Sequence, residues 1–95
     1  MARKRPAYTA DELRALKERL HEQRRSLATR LHDCSIDLTR KPEFEGACLA
    51  RDRAQELAST CLALSHIDDI IAMAKRMGPT SAIGFDPADC GLEAP

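Results

Sequence analysis

Tryptophan is absent from this chain of 95 residues, and its aromatic complement is one tyrosine and two phenylalanines. Any core must therefore be aliphatic, built from Leu, Ile, Ala, Met and Cys. An excess of charge is missing too: fifteen Lys and Arg residues balance fifteen Asp and Glu residues. Without a net positive charge there is no general electrostatic pull toward a phosphate backbone, so no direct nucleic-acid partner is expected. No run of apolar residues approaches the roughly 18–20 of a membrane span, and no membrane partner is expected. The N-terminus lacks the hydrophobic stretch of a secretory signal. These absences point to a reducing cytoplasm, where Cys34, Cys48, Cys61 and Cys90 would be thiols. The length suits one small domain, and a domain this small usually needs added support such as a second copy of itself.

The usual signatures of chemistry are also missing. The four cysteines are widely spaced and form no C-x-x-C pair, whereas structural zinc sites bring their ligands in close pairs. His32, Cys34 and Cys48 would supply three ligands with no obvious fourth, so neither a metal nor any other cofactor is expected. There is no Gly-rich phosphate loop and no G-x-S-x-G elbow, and no catalytic residue is assigned. The stretch Arg24-Arg25-Ser26-Leu27-Ala28-Thr29-Arg30-Leu31 resembles part of the long helix of bacterial chorismate mutases. That family requires a lysine at the position of Ser35 and an arginine near Ala7. Both are absent, so a non-enzymatic protein is expected.

What the chain does have is helical periodicity. Residues 1–8 form a basic lead-in around Arg3-Lys4-Arg5, expected to be flexible. Thr9-Ala10-Asp11-Glu12 reads as a capping box, with acids at the positive end of a helix dipole. Leu13, Leu16, Leu20, Leu27, Leu31 and Cys34 then recur at steps of three and four, with Arg24 filling one slot. This predicts a first helix over 10–34. A second helix is expected over 42–77, with Pro42 in its first turn and Thr39 as the preferred cap. Its stripe reads Ala47, Ala50, Ala54, Leu57, Cys61, Leu64, Ile67 and Ile71, and Gly78-Pro79 ends it. The fold expected is all-α: an antiparallel two-helix coiled-coil hairpin over 9–78 with its tip at 35–41. A short, mostly irregular tail follows over 79–95, with Asp86-Pro87-Ala88-Asp89 starting a single turn and Ile83 and Phe85 available to dock it.

Two features follow from that hairpin. Cys34 and Cys48 lie equally far from residue 41 and would face each other at the neck, where a disulfide would act as a redox latch. Leu62, Leu64, Ile67, Ile70 and Ile71 widen the apolar face of the second helix beyond what two helices cover, and Leu57, Leu64, Ile67, Ile70 and Ile71 are its candidate interface residues. Either the tail folds back over that face or a second chain packs on it, giving a homodimeric four-helix bundle.

The tip itself reads Asp37-Leu38-Thr39-Arg40-Lys41-Pro42-Glu43-Phe44-Glu45-Gly46, one acid and two bases preceding a proline-led restart that brings two more acids. Asp37-Leu38-Thr39, Glu43-Phe44 and Ala47 resemble the tip of the N-terminal coiled coil of Gre-type transcript-cleavage factors. Ile67-Asp68, Ile71, Ala72 and Gly78 are similar to the second helix of the DksA/TraR group. The resemblance implies a hairpin that enters the secondary channel of bacterial RNA polymerase and sets acids near the catalytic Mg²⁺. Asp37 carries over, with Glu43 secondary. Arg40 stands where the Gre pattern has its second metal-directed acid, and Lys41 replaces its asparagine, so occupancy or inhibition of the channel is expected rather than stimulated cleavage. The expectation is a non-catalytic helical interaction protein that meets a protein partner through Asp37, Thr39, Arg40, Lys41, Glu43 and Phe44. The alternative is a homodimeric adaptor or structural protein that binds a protein partner through the apolar face of the second helix.

Overall fold

The structure is a computed structural model that describes residues 7–81 and 83–92. The basic cluster Arg3-Lys4-Arg5 lies outside them. Helix α1 spans Ala10–Arg40 and helix α2 spans Phe44–Met77. A single 3-10 turn, Pro87–Cys90, follows. The chain is an all-α hairpin, as its periodicity implies.

The start of α1 is the capping box read from Thr9 and Glu12. The Glu12 backbone N–H donates to Thr9 Oγ1 at 3.2 Å, and the Thr9 N–H returns to Glu12 Oε1 at 3.4 Å. Just before it, Tyr8 exchanges backbone hydrogen bonds with Thr80 at 2.8 and 3.0 Å, which ties the two ends of the hairpin together. Tyr8 is thus anchored, although it falls in the stretch expected to be loose. At the other end, Gly78 closes α2 at φ +89, a left-handed value that glycine adopts without a Cβ penalty.

Helix α1 runs six residues past its expected end, and the turn shrinks to residues 41–43. The reason lies in the hydroxyls. Ser35 Oγ donates to the Leu31 carbonyl and Thr39 Oγ1 to the Ser35 carbonyl, both at 2.9 Å. Residues that favour turns are here bonded back onto the helix and do not break it. Thr39 is therefore interior to α1. Glu43 takes the cap position of α2, without a side-chain cap bond, and Pro42 precedes it.

The seam of α2 also differs from the expected stripe. Gly46, Ala50, Arg53, Leu57, Thr60, Leu64, Ile67, Ile71 and Ala74 are all buried or half-buried, at alternating steps of four and three. That is a heptad repeat, the pattern of coiled coils. Ala47, Ala54 and Cys61, expected on the seam, are exposed. Polar residues hold seam positions because each finds a partner: Arg53 lies 3.6 Å from the Glu56 carboxylate, and the Thr60 hydroxyl donates to the Glu56 carbonyl at 2.8 Å. On α1, Gln23 and not Arg24 fills the slot between Leu20 and Leu27.

The apolar core occupies only the base of the hairpin. Leu13, Leu16 and Leu20 pack with Ala63, Ile67, Ile70, Ile71 and Ala74, and Ile83, Cys90 and Leu92 of the tail complete the cluster. The tail folds back as a strap along α2. Within residues 28–59 no residue is buried. The molecule extends 52 Å along its longest axis, and its radius of gyration is 15.9 Å. A compact chain of this length would have a radius of about 12 Å. The shape is a braced base with a bare two-helix projection.

By length and composition, α2 also contains an 18-residue window of mean hydropathy 1.3, enough to cross a bilayer. Counting uninterrupted apolar residues misses it, because the helix intersperses Ser, Thr and His. A third of that window is buried inside the chain, with Ile67, Ile70 and Ile71 facing α1 and the strap.

Candidate interaction surface at the hairpin tip

The helix ends bring the six candidate tip residues together on either side of the turn. Asp37, Thr39 and Arg40 lie in the last turn of α1, Lys41 and Glu43 flank Pro42, and Phe44 opens α2. Phe44 is 84% exposed, the most exposed large hydrophobic residue described. Ile36 and Leu49 nearby are also exposed.

Between the helices lies a groove of about 210 Å³ lined by Cys34, Asp37, Leu38, Lys41, Glu43, Gly46 and Leu49. Its narrow waist is set by Gly46, where an added Cβ would stand 3.2 Å from Leu38 Cδ2. The absence of a side chain at Gly46 is what lets the two helices close on each other next to the turn. Leu38 and Gly46 were missed as site residues. The signal that finds them is the heptad repeat, carried seven residues on from Leu31 and seven back from Arg53.

The tip charges are unequal in their surroundings. Lys41 Nζ lies 3.2 Å from Glu43 Oε1, so the Glu43 carboxylate is already paired, in an exposed contact of small energetic weight. The Asp37 side chain has no ion pair or hydrogen-bond partner among the described residues; its backbone carbonyl accepts the Lys41 N–H at 2.9 Å. The Thr39 hydroxyl is engaged by α1 itself. Of the two acids carried by the family resemblance, Asp37 is the one with open coordination.

Cys34 and Cys48 are both half-buried, but they take different places relative to the seam. Cys34 sits on the α1 seam, but Cys48 is two residues from each of the seam positions Gly46 and Ala50. At about 100° per residue it points away from both. Cys34 lines the tip groove and Cys48 does not, and all four cysteines are free thiols. Equal distance from the turn in sequence does not give equal rotation about the two helix axes.

Most of the apolar face expected to receive the tail or a second chain is covered from within, while Leu62 stays 59% exposed. Ile67, Ile70 and Ile71 are buried in the chain's own core, and Leu57 and Leu64 are half-buried along the hairpin seam. The strap supplies the cover. Its anchor is Cys90, fully buried, whose carbonyl accepts from the Thr60 hydroxyl at 3.4 Å. Burial pushes the Cys90 thiol above its ordinary pKa; the Thr60 hydrogen bond pulls it partly back, and the Asp89 and Asp86 carboxylates push it further up. Among the described residues no three His, Cys, Asp or Glu side chains stand close enough together to hold a metal ion.

Comparison with protein-family models, curated proteins and solved structures returns no match for this chain.

Proposed function

We propose that this chain is a non-catalytic interaction protein that engages a protein partner through the tip of its hairpin. The observation that carries this reading is Phe44, a large aromatic ring 84% exposed at the far end of a projection that contains no buried residue. In a chain with three aromatic residues, leaving one of them in water has a cost that a partner's apolar pocket would remove. The mixed charges of Asp37, Arg40, Lys41 and Glu43 would form the polar rim around that anchor.

The more specific form of the reading follows from the resemblance of the tip to secondary-channel factors. The hairpin ends in a bare two-helix projection, and Asp37 stands there without an ion-pair partner among the described residues. In this form the partner is bacterial RNA polymerase, and the effect is occupancy or inhibition, since Glu43 is paired with Lys41.

The experiment is affinity capture from host lysate with the wild-type chain, Phe44→Ser and Asp37→Ala in parallel. A protein retained by the wild type and lost with Phe44→Ser is the expected result. Equal retention by both would remove the tip as the binding site. For the specific form, purified RNA polymerase is assayed for transcription, and Asp37→Ala should abolish the effect of the wild-type chain with helicity unchanged. A wild-type chain without effect on transcription would remove RNA polymerase as the partner and leave the tip reading in place.

A further inference from the structure

The strap covers one side of α2 and stops short of another. Leu62 is 59% exposed, Met73 40% and Met77 79%. His66 and Asp69 lie between the first two and are exposed as well. From Leu62 these residues follow at steps of four, three, four and four, so they form one stripe along the helix. The seam that meets α1 lies roughly opposite, since Thr60 and Ile67 precede Leu62 and Asp69 by two residues, about 200° of rotation. An open hollow of about 350 Å³ adjoins the stripe, where Leu62, His66 and Asp69 meet Ile83 and Phe85 of the strap.

We propose that a second copy of this chain docks on this stripe, the two α2 helices antiparallel about a twofold axis between Ile67 and Asp68. The order of side chains carries the assignment. From Leu62 to Met73 the stripe reads apolar, base, acid, apolar, and reversed it reads apolar, acid, base, apolar. Two such helices running in opposite directions set Leu62 against Met73 and His66 against Asp69, each pair twice. A shift of one turn would set His66 against Met73 instead. His66 and Asp69 stand three residues apart on one helix, yet neither has a hydrogen bond or ion pair among the described residues. In the dimer a ring N–H of His66 donates to the Asp69 carboxylate of the other copy. Met73, flexible and apolar, enters the hollow beside the other Leu62. Arg76, without an ion pair among the described residues, comes opposite Ser59, at the rim of the hollow that Asp89 also lines. A lipid surface suits the stripe less well, because it would leave the Asp69 carboxylate unpaired in an apolar layer.

At this register the end of one α2, Met77, reaches Ala58 of the other, so only residues 58–77 are paired. Residues 44–57 project beyond the contact, and the dimer carries one free tip at each end. The association uses neither Phe44 nor Asp37, and its failure would leave the tip reading untouched.

Sedimentation velocity on the full chain over a range of concentrations tests this. The wild type should dimerise, and Phe44→Ser should dimerise equally. His66→Glu sets acid against acid and Asp69→Lys sets base against base, so each variant alone should dimerise about tenfold or more weakly. Their equimolar mixture should recover the dimer, because every acid then faces a base across the contact. Leu62→Ser, which leaves the charges alone, should also weaken it. Circular dichroism checks that each variant keeps wild-type helicity. A wild type that stays monomeric overturns the proposal, as does a monomer that binds phosphatidylcholine–phosphatidylglycerol vesicles through Leu62. So does a dimer lost with Phe44→Ser, a dimer indifferent to His66→Glu or Asp69→Lys, or a mixture that remains monomeric.

Discussion

Thr60 has no exposed surface, and its hydroxyl serves two carbonyls, those of Glu56 and Cys90. One belongs to its own helix and the other to the strap. Thr60→Val keeps the shape and removes the donor, and is expected to lower stability by about 1 kcal/mol in chemical denaturation. Cys90, across from it, gives a pH signature. A thiol whose folded pKa is raised stays protonated in the folded chain after the unfolded chain has begun to ionise. Its contribution is complete below the ordinary value of 9.0 and is lost as pH rises beyond that. The wild-type stability curve should therefore fall more steeply above about pH 9 than that of Cys90→Ala. Parallel curves would contradict the burial of the thiol. Neither residue was legible as a site in the sequence. A threonine on an apolar stripe reads as an interruption, and a cysteine in a segment without period gives no sign of where it docks. Both acquire their roles only from contacts between distant parts of the chain.

At the scale of elements, the helices were legible because their caps and spacing are local. The Thr9 to Glu12 box and the Gly78 stop act within a few residues of themselves. The seam register and the extent of the tip were not legible, for a physical reason in each case. Seam positions at Gly46, Arg53 and Thr60 carry no apolar side chain, so hydropathy selects Ala47, Ala54 and Cys61 one residue away. Ser35 and Thr39 look like turn residues until their hydroxyls are seen bonded to the preceding helical turn. The division between braced base and bare projection gives a pair of expected outcomes. Ile67→Ala, deep in the base, should cost about 2–5 kcal/mol of unfolding free energy. Leu49→Ala, an exposed residue on the projection, should change it by no more than about 0.5 kcal/mol. Equal costs would mean that the projection is braced as firmly as the base.

For the whole molecule, the strap decides which end is stable and which is available. By folding back over α2, it places Ile83, Cys90 and Leu92 in the core and covers Ile67, Ile70 and Ile71, while Leu62, Met73 and Met77 stay exposed. At the tip, two helices hold each other without a third. The account rests on this asymmetry, and backbone amide exchange reads it directly. Exchange rates corrected for sequence should be slowest at α1 residues 13–27 and α2 residues 60–74. They should rise on passing into residues 28–59, because those turns have no buried side chain to hold them closed. Uniform protection along both helices, or slower exchange at the tip than at the base, would contradict the division of the hairpin into a braced base and a bare projection.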